Sequence, residues 1–396
     1  MKPKIDNDEI PSLNRDTLLV HAGEGIDSQF GSVAVPVYET ASFSHVDFNA
    51  HQTASDQPSD RSYYSRGYNP TVRAFENKIA VLENADTALA FGNGMAAIST
   101  TLLVLLGSGG HLICTDKVFV TTRRWLDRQG TLLGFSVSYV DTSDMESIRS
   151  SARSETRAVY VESLSNPLLD VANLVELVRL CDVLRVSLVV DNTFLSPYLL
   201  RPLDFGVDIV LHSATKYISG HGHVLGGVVA GRHELMDRII EPRRLFGTTL
   251  TPHAASLLLS GIKTLGLRIT RSSETAVAVA TLLSEHPAVK RVYYPGLPED
   301  SGHALALSLT GGPCGGIVSF ELVEHEERKH AFYDALHLIT RATSLGDCAS
   351  LCDTIESPDV FRIACGIEAT ADVCSDLQQA LDKAARYIIV NDRDLP

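Results

Sequence analysis

Four residues of this chain have types and spacing suited to amine–aldehyde and phosphate chemistry: Asp191, Ser213, Thr215 and Lys216. The run Val207 to Leu211 reads as a short buried strand, which puts Lys216 on the turn behind it. Leu188-Val189-Val190 in the same way leads into Asp191, a strand ending on a carboxylate. A lysine at the lip of a buried strand is desolvated, which disfavours its ammonium form and leaves a usable amine. Ser213 and Thr215 flank it with hydroxyls able to bind a phosphate. A lysine that can form a Schiff base, with an aspartate that can pair with a pyridinium nitrogen, is what a protein contributes to a pyridoxal 5'-phosphate site. Ser-x-Thr-Lys by itself also fits a surface lysine after a strand; Asp191 and two further motifs favour the cofactor.

The first motif is Tyr64-Ser65-Arg66-Gly67-Tyr68-Asn69-Pro70-Thr71. Its Asn-Pro turn is rigid and places a phenol and a guanidinium side by side, and the planar guanidinium fork suits phosphate. The second is Gly92-Asn93-Gly94-Met95, between the strand-like Ala88 to Phe91 and an apolar helix running to Leu106. A glycine turn opening a helix presents free N–H groups and the positive end of the helix dipole. Each motif alone has an ordinary reading, a loop arginine or a strand-to-helix turn that binds nothing.

Together with SATKYISGHGH (213–223) and LLVHAGE (18–24), these stretches resemble the Cys/Met-metabolism family of pyridoxal phosphate enzymes, from about Thr17 to Leu381. That family holds cystathionine γ-synthase, the cystathionine lyases, methionine γ-lyase and O-acylhomoserine sulfhydrylases. The resemblance implies that Lys216 carries the cofactor and shuttles protons, and that Asp191 and Thr193 lie at its ring. It implies that Gly94, Met95, Ser213 and Thr215 hold the phosphate, and that Tyr64 and Arg66 reach the phosphate of a neighbouring subunit. Arg362 aligns with the arginine that clamps a substrate α-carboxylate, assisted by Ser344 and Leu345, with Asn166 near the ring. The implied assembly is a homodimer sharing active sites, or a homotetramer of such pairs.

The departures from the pattern bear on the substrate. Phe119 stands where relatives carry a tyrosine stacked on the ring, so the stacking stays and the phenol that protonates a leaving group is lost. Asn93 replaces a serine, His223 stands where aspartate is common, and Ala349 takes a place held by glutamate in cystathionine enzymes. The H-P-x-x-x-T-H segment is missing, because Leu351-Cys352-Asp353-Thr354 runs almost directly to Pro358 and Arg362. The expected chemistry is γ-replacement or γ-elimination on a homoserine-derived amino acid with a good Cγ leaving group. A β-lyase acting on cystathionine or cysteine conjugates is the alternative among enzymes, and a non-catalytic cofactor-binding protein the alternative outside them. A metal hydrolase built on His212, His221 and His223 is rejected, since their glycine-rich setting has no helical H-x-x-x-H face; no metal is expected.

Composition agrees with a soluble enzyme. Of 396 residues, 44% are hydrophobic and 21% charged, enough for a large buried core. The formal charge of -14 argues against nucleic acid or an anionic membrane as partner. Seven cysteines without a C-x-x-C pair fit a reducing cytoplasm, and neither a secretory signal nor a bilayer-length apolar run is found.

The elements that must position these residues follow from periodicity. Strands are expected at 88–91, 111–115, 134–140, 157–162, 187–191, 207–211 and 226–230, with helices at about 71–83 and 95–106. Such alternation means an α/β large domain whose mainly parallel seven-stranded sheet is covered on both faces, the fold type I arrangement in the terms of the resemblance. Residues 1–60 read as an extended arm with a loop from His51 to Ser59, and 61–251 as the cofactor-binding domain. Residues 252–396 read as a smaller α+β domain, with one long helix over Pro252 to His286, strands at 289–294 and 316–322, and helices at 324–338 and 371–388.

Overall fold

The structure, a computed structural model, describes residues 2–3, 13–27, 29–57, 63–323, 326–354 and 360–391. The chain divides into two compact units. The first comprises Met1–Ser163, Ala172–Ser219 and His223–Gly266; the second comprises Leu164–Val171, Gly220–Gly222 and Leu267–Pro396. The compositional change at Thr251 therefore falls short of this division, because the helix Pro252–Ile262 belongs to the first unit.

The first unit is built on seven strands: β1 Thr87–Phe91, β2 His111–Thr115, β3 Ser136–Val140, β4 Thr156–Glu162, β5 Ser187–Asp191, β6 Ile209–His212 and β7 Gly227–Gly231. Their order in the sheet is β1-β7-β6-β5-β4-β2-β3. Strands β2 to β6 pair in parallel, and β7 is antiparallel to both its neighbours. Thus β1 points the same way as β6, and six of the seven strands end on one edge. The central strands are buried on both faces, as near-continuous apolar runs such as Leu188 to Val190 require. Leu102, Leu105 and Leu106 of the helix Gly94–Leu106 pack with Leu112, Tyr160 and Leu211 in the core.

The N-terminal stretch departs from the expected extended arm. Arg15–His21 is a helix capped by Asn14, whose side chain accepts from the Asp16 N–H. Phe48–Asp56 is a helix where a loop was expected, and Asp47 caps it by accepting from the Ala50 N–H at 2.8 Å. An aspartate before a turn of helix formers is an N-cap signal; the polar composition of this stretch hides it. The end of that expected loop, 58–59, lies outside the described residues.

The second unit carries β8 Val289–Tyr293, β9 Ile317–Leu322, β10 Thr340–Arg341, β11 Leu351–Asp353 and β12 Val360–Ala364, in the order β8-β9-β12-β11-β10. Glu326–Ala335 and Thr370–Asn391 are its expected helices; residues 324 and 325, read as the start of the former, are outside the described residues. The single helix expected over Pro252 to His286 is two, Pro252–Ile262 and Leu265–Glu285. No proline breaks it. The N–H and hydroxyl of Thr264 both reach the Gly261 carbonyl, each at 3.2 Å, and this tight turn ends the first helix. Among the described residues no helix is long and apolar enough to cross a membrane.

Candidate active site

The common edge of the large sheet gathers most of the residues singled out by chemistry. Asp191 is the last residue of β5, Lys216 lies four residues beyond β6, and Gly94 lies three beyond β1. Phe119 follows β2, and Glu162 ends β4. Ligands of open α/β sheets bind outside such carboxyl ends, where N–H groups and side chains are released from the ladder.

Asp191 is the hub. One carboxylate oxygen accepts from the Thr193 N–H at 3.0 Å and from its hydroxyl at 2.5 Å; the other accepts from the Tyr160 hydroxyl at 3.3 Å. Burial pushes the Asp191 carboxyl up, opposed by the two Thr193 bonds, the charge of His212 and the Tyr160 bond. A carboxylate desolvated this far favours a cationic N–H partner. The Thr193 hydroxyl also accepts from the Ser213 N–H at 2.8 Å. One threonine therefore joins the ends of β5 and β6, and its hydroxyl is committed to Asp191 and Ser213. The sequence reading places Thr193 at the cofactor; the structure shows it joined to Asp191 and Ser213.

Ser213 and the helix start at Gly94 form a cradle. A Cβ added at Gly94 would lie 2.9 Å from the Ser213 Cβ and 3.0 Å from its Oγ, so only glycine admits this approach. Asn93 caps the helix by accepting from the Ala96 N–H at 2.8 Å, as serine would, which leaves the first N–H groups to face outward. The Thr215 hydroxyl donates to the Gly226 carbonyl at 3.2 Å and accepts from the Gly226 N–H at 3.0 Å. Its expected phosphate role thus competes with a turn it already holds. Lys216 is half-buried, and its N–H donates to the Ser213 carbonyl at 3.1 Å. A helix N-terminus beside a hydroxyl, a half-buried lysine and a buried carboxylate fit pyridoxal phosphate: anion donors for the phosphate, an amine for the aldehyde, an anion for the ring nitrogen.

The Phe119 N–H donates to the Glu162 carboxylate at 2.8 Å, and Phe119 precedes the helix Val120–Leu133 without a side-chain cap. The Met95 sulfur lies 3.8 Å from the Thr122 hydroxyl. Tyr64 and Arg66 are both exposed. The Arg66 guanidinium stands 5.5 Å from the Tyr64 ring centroid and donates to the Arg244 carbonyl at 2.9 Å. Tyr160 and Glu162 were not foreseen; the signal was a phenol and a carboxylate in the buried stretch Ala158 to Glu162 that closes β4.

In the second unit, the period of two in Val360–Ala364 sends Phe361 to one face and Arg362 to the other. Phe361 stacks on Phe320 at 5.5 Å and meets Phe332 edge-on at 4.9 Å. Arg362 is 2% exposed, and its guanidinium donates to Asn166 Oδ1 and to the Ser344 carbonyl, each at 2.9 Å. Ser344 holds φ at 108°, a conformation costly outside glycine and typical of a built site. Leu345 beside it is buried. Asn166, Ser344 and Arg362 are thus brought together. The His212 ring pairs instead with Glu83, Nε2 to Oε1 at 2.5 Å, in the buried core of the first unit.

Comparison with known proteins adds three likenesses and one family match. The family described as Cys/Met metabolism PLP-dependent enzyme matches residues 16–357. The cystathionine gamma-lyase of Bacillus subtilis is 37% identical over 93% of this chain and 100% of its own. The L-methionine gamma-lyase of Pseudomonas putida is 35% identical, over 93% of this chain and 97% of its own. The crystal structure of cystathionine gamma-lyase from Lactobacillus plantarum complexed with L-serine superposes with a TM-score of 0.88 at 32% identity, covering 94% of this chain and 100% of that one.

Proposed function

This chain belongs to the Cys/Met metabolism family of PLP-dependent enzymes, and we propose that within it the protein carries out γ-replacement or γ-elimination on a homoserine-derived amino acid with a good leaving group at Cγ. The observation that carries the reading is the sheet edge that holds Gly94, Asp191 and Lys216 together with a phenylalanine, Phe119, in place of a phenol. When bound, pyridoxal phosphate supplies an electron sink for a carbanion next to the amino-bearing carbon. Lys216 holds the cofactor and its Nζ moves the Cα proton. Asp191, fixed by Thr193 and Tyr160, keeps the proton on the ring nitrogen. The N–H groups of Gly94 and Met95, with Ser213 and Thr215, bind the phosphate. Arg362, aimed by Asn166, Ser344 and Leu345, binds the substrate α-carboxylate.

Phe119 would stack on the cofactor ring and has no proton to give. General acid assistance is worth about 100- to 10,000-fold, or roughly 3–5 kcal/mol of barrier. A departing alkyl thiolate needs that assistance; a carboxylate from an O-acylhomoserine or a thioether from a sulfonium does not. In the proposed assembly Tyr64 and Arg66 serve the phosphate site of a second copy, in homodimers that pair as a tetramer. The apolar Phe30, Val33, Val46 and Phe48, exposed at 82%, 78%, 94% and 73%, give the N-terminal stretch a surface suited to such packing. Seven free cysteines support a cytoplasmic location.

The test is kcat/KM for an O-acylhomoserine against methionine, in the wild type and in Phe119→Tyr, with Lys216→Ala as the control that loses the visible absorbance of lysine-bound cofactor. The activated ester is expected to win in the wild type, and methionine cleavage to gain most from the tyrosine. Efficient methionine cleavage by the wild type, unchanged in Phe119→Tyr, would sink the leaving-group argument. Turnover by Lys216→Ala would sink the whole assignment.

A further inference from the structure

In the second unit, Arg362 is the middle of a polar row that crosses three strands. The register sets Ser319 of β9 and Asp353 of β11 directly opposite Arg362 on its two sides, and residues directly opposite share a face of the sheet. Arg362 itself is 2% exposed. The Asp353 Oδ1 accepts from the Thr354 N–H at 2.8 Å. Its Oδ2 is buried without a hydrogen-bond partner and stands 4.0 Å from the Arg362 Nη2. The Oγ of Ser319, on the far side, is likewise buried without a hydrogen-bond partner. The guanidinium's hydrogen bonds to Asn166 and Ser344 end on neutral oxygens. A buried cation of this kind is tolerated when a counter-charge is near, and Asp353 is near enough to supply one and too far to hydrogen-bond.

We propose that Asp353 is the internal counter-charge of Arg362 and sets how tightly the site takes a carboxylate. The inference rests on the reading of Arg362 as the clamp for a substrate α-carboxylate. An anion arriving at the guanidinium meets the field of Asp353 as well, so the aspartate lowers affinity for every carboxylate ligand and leaves the reacting carbons untouched. The effect is the same for a substrate and for a simple amino acid, since both present the same α-carboxylate. It acts on binding alone: ground state and transition state carry the same carboxylate, so KM changes and kcat does not.

The experiment uses the holoenzyme and two probes, glycine and glycinamide, which differ in the α-carboxylate charge. Titration calorimetry with Asp353→Asn is expected to find glycine bound about tenfold more tightly than by the wild type, the size of effect a neighbouring partly screened charge exerts, with glycinamide unchanged. KM for the turned-over substrate should fall by a similar factor at constant kcat. Asp353→Ser, smaller and neutral, should behave as Asp353→Asn does. Unchanged or weaker glycine binding, or an equal shift for glycinamide, overturns the proposal. Failure of both variants to fold overturns it too, because it would make Asp353 a requirement of the fold and not a control on carboxylate affinity. Wild-type enzyme that binds glycine no better than glycinamide would refute the clamp role of Arg362 instead.

Discussion

Lys78 offers a sharp test of how the first unit is held together. It sits on the helix Pro70–Glu83 and is fully buried. Its Nζ donates to the Leu19 carbonyl at 2.8 Å and the Val20 carbonyl at 3.2 Å, and pairs with Glu24 at 3.2 Å. Glu24, also buried, pairs with Lys263 at 2.9 Å. One ammonium thus closes the last turn of the helix Arg15–His21 onto a distant helix, and the LLVHAGE stretch is a clasp. Gly23 completes it: with φ at 70°, its missing Cβ would lie 2.3 Å from the Lys78 N. Breaking a buried ion pair by removing one partner costs about 3–5 kcal/mol, and hydrogen bonds to a charged group are worth about 1.5–3 kcal/mol each. Lys263 remains to neutralise Glu24, so the lower end applies and Lys78→Met should cost about 3 kcal/mol. Equilibrium urea unfolding at fixed protein concentration measures this. The Ala22 N–H, which donates to the Leu18 carbonyl at 2.9 Å, should exchange faster with deuterium. Glu24→Leu should cost less in the Lys78→Met background than alone, with a coupling of about 1–2 kcal/mol. A Lys78→Met protein within about 0.5 kcal/mol of the wild type, the range of surface substitutions, would refute the clasp.

Two further outcomes follow from other buried groups. His111 is fully buried, with Nδ1 2.8 Å from the Thr156 hydroxyl and Nε2 3.0 Å from that of Ser138; burial, then the charge of Arg153, pulls its pKa below the ordinary 6.5. The unfolded chain therefore takes up that proton first, so the contribution of His111 is present above pH 6.5 and is lost as pH falls toward the folded-state value. Chemical denaturation across this window should show a slope that His111→Gln removes, and an unaltered slope would count against it. Gly94→Ala should weaken reconstitution of the apoprotein with pyridoxal phosphate at least about tenfold, since a 1.4 kcal/mol clash suffices and the added Cβ would press on Ser213 at 2.9 Å; cofactor titration by fluorescence decides.

The parts of the site legible in the sequence were those fixed by one local rule. Asp191, Lys216 and Gly94 each follow a short apolar run, and a parallel sheet places such positions on one edge. What joins them was not legible. Thr193 bridges Asp191 to Ser213 across two strands, Tyr160 reaches Asp191 from a third, and neither pairing has a local signature. Asn166 and Arg362 lie 196 positions apart yet share a hydrogen bond, and only the register of β9, β11 and β12 brings Asp353 and Ser319 alongside Arg362. The helix Phe48–Asp56 was missed because its residues are polar enough to read as loop, while the Asp47 cap that starts it is a single side chain. The break at Lys263-Thr264 was missed because threonine ends a helix through its own hydroxyl, with no proline there, and Gly261 and Gly266 both lie inside helices.

The bond from the Phe119 N–H to Glu162 explains why the change at this position isolates a single hydroxyl. Phe119 has no side-chain role in starting the helix Val120–Leu133; the backbone at 119 is held by the carboxylate that ends β4, and the ring is free to differ. Replacing phenylalanine by tyrosine then adds one oxygen without moving the main chain, and the gain in methionine cleavage measures proton donation alone. The same bond sets the limit on that gain. Glu162 is 9% exposed and spends one oxygen on the Phe119 N–H; a phenol introduced within the field of this carboxylate would be discouraged from ionising. A phenol that keeps its proton is a donor, which is the form a departing thiolate requires. The expected pattern is therefore a rise in kcat/KM for methionine that persists to high pH in Phe119→Tyr, with O-acylhomoserine turnover flat across the same range. A methionine gain that vanishes as pH rises through the ordinary tyrosine range near 10 would show that Glu162 exerts no such hold.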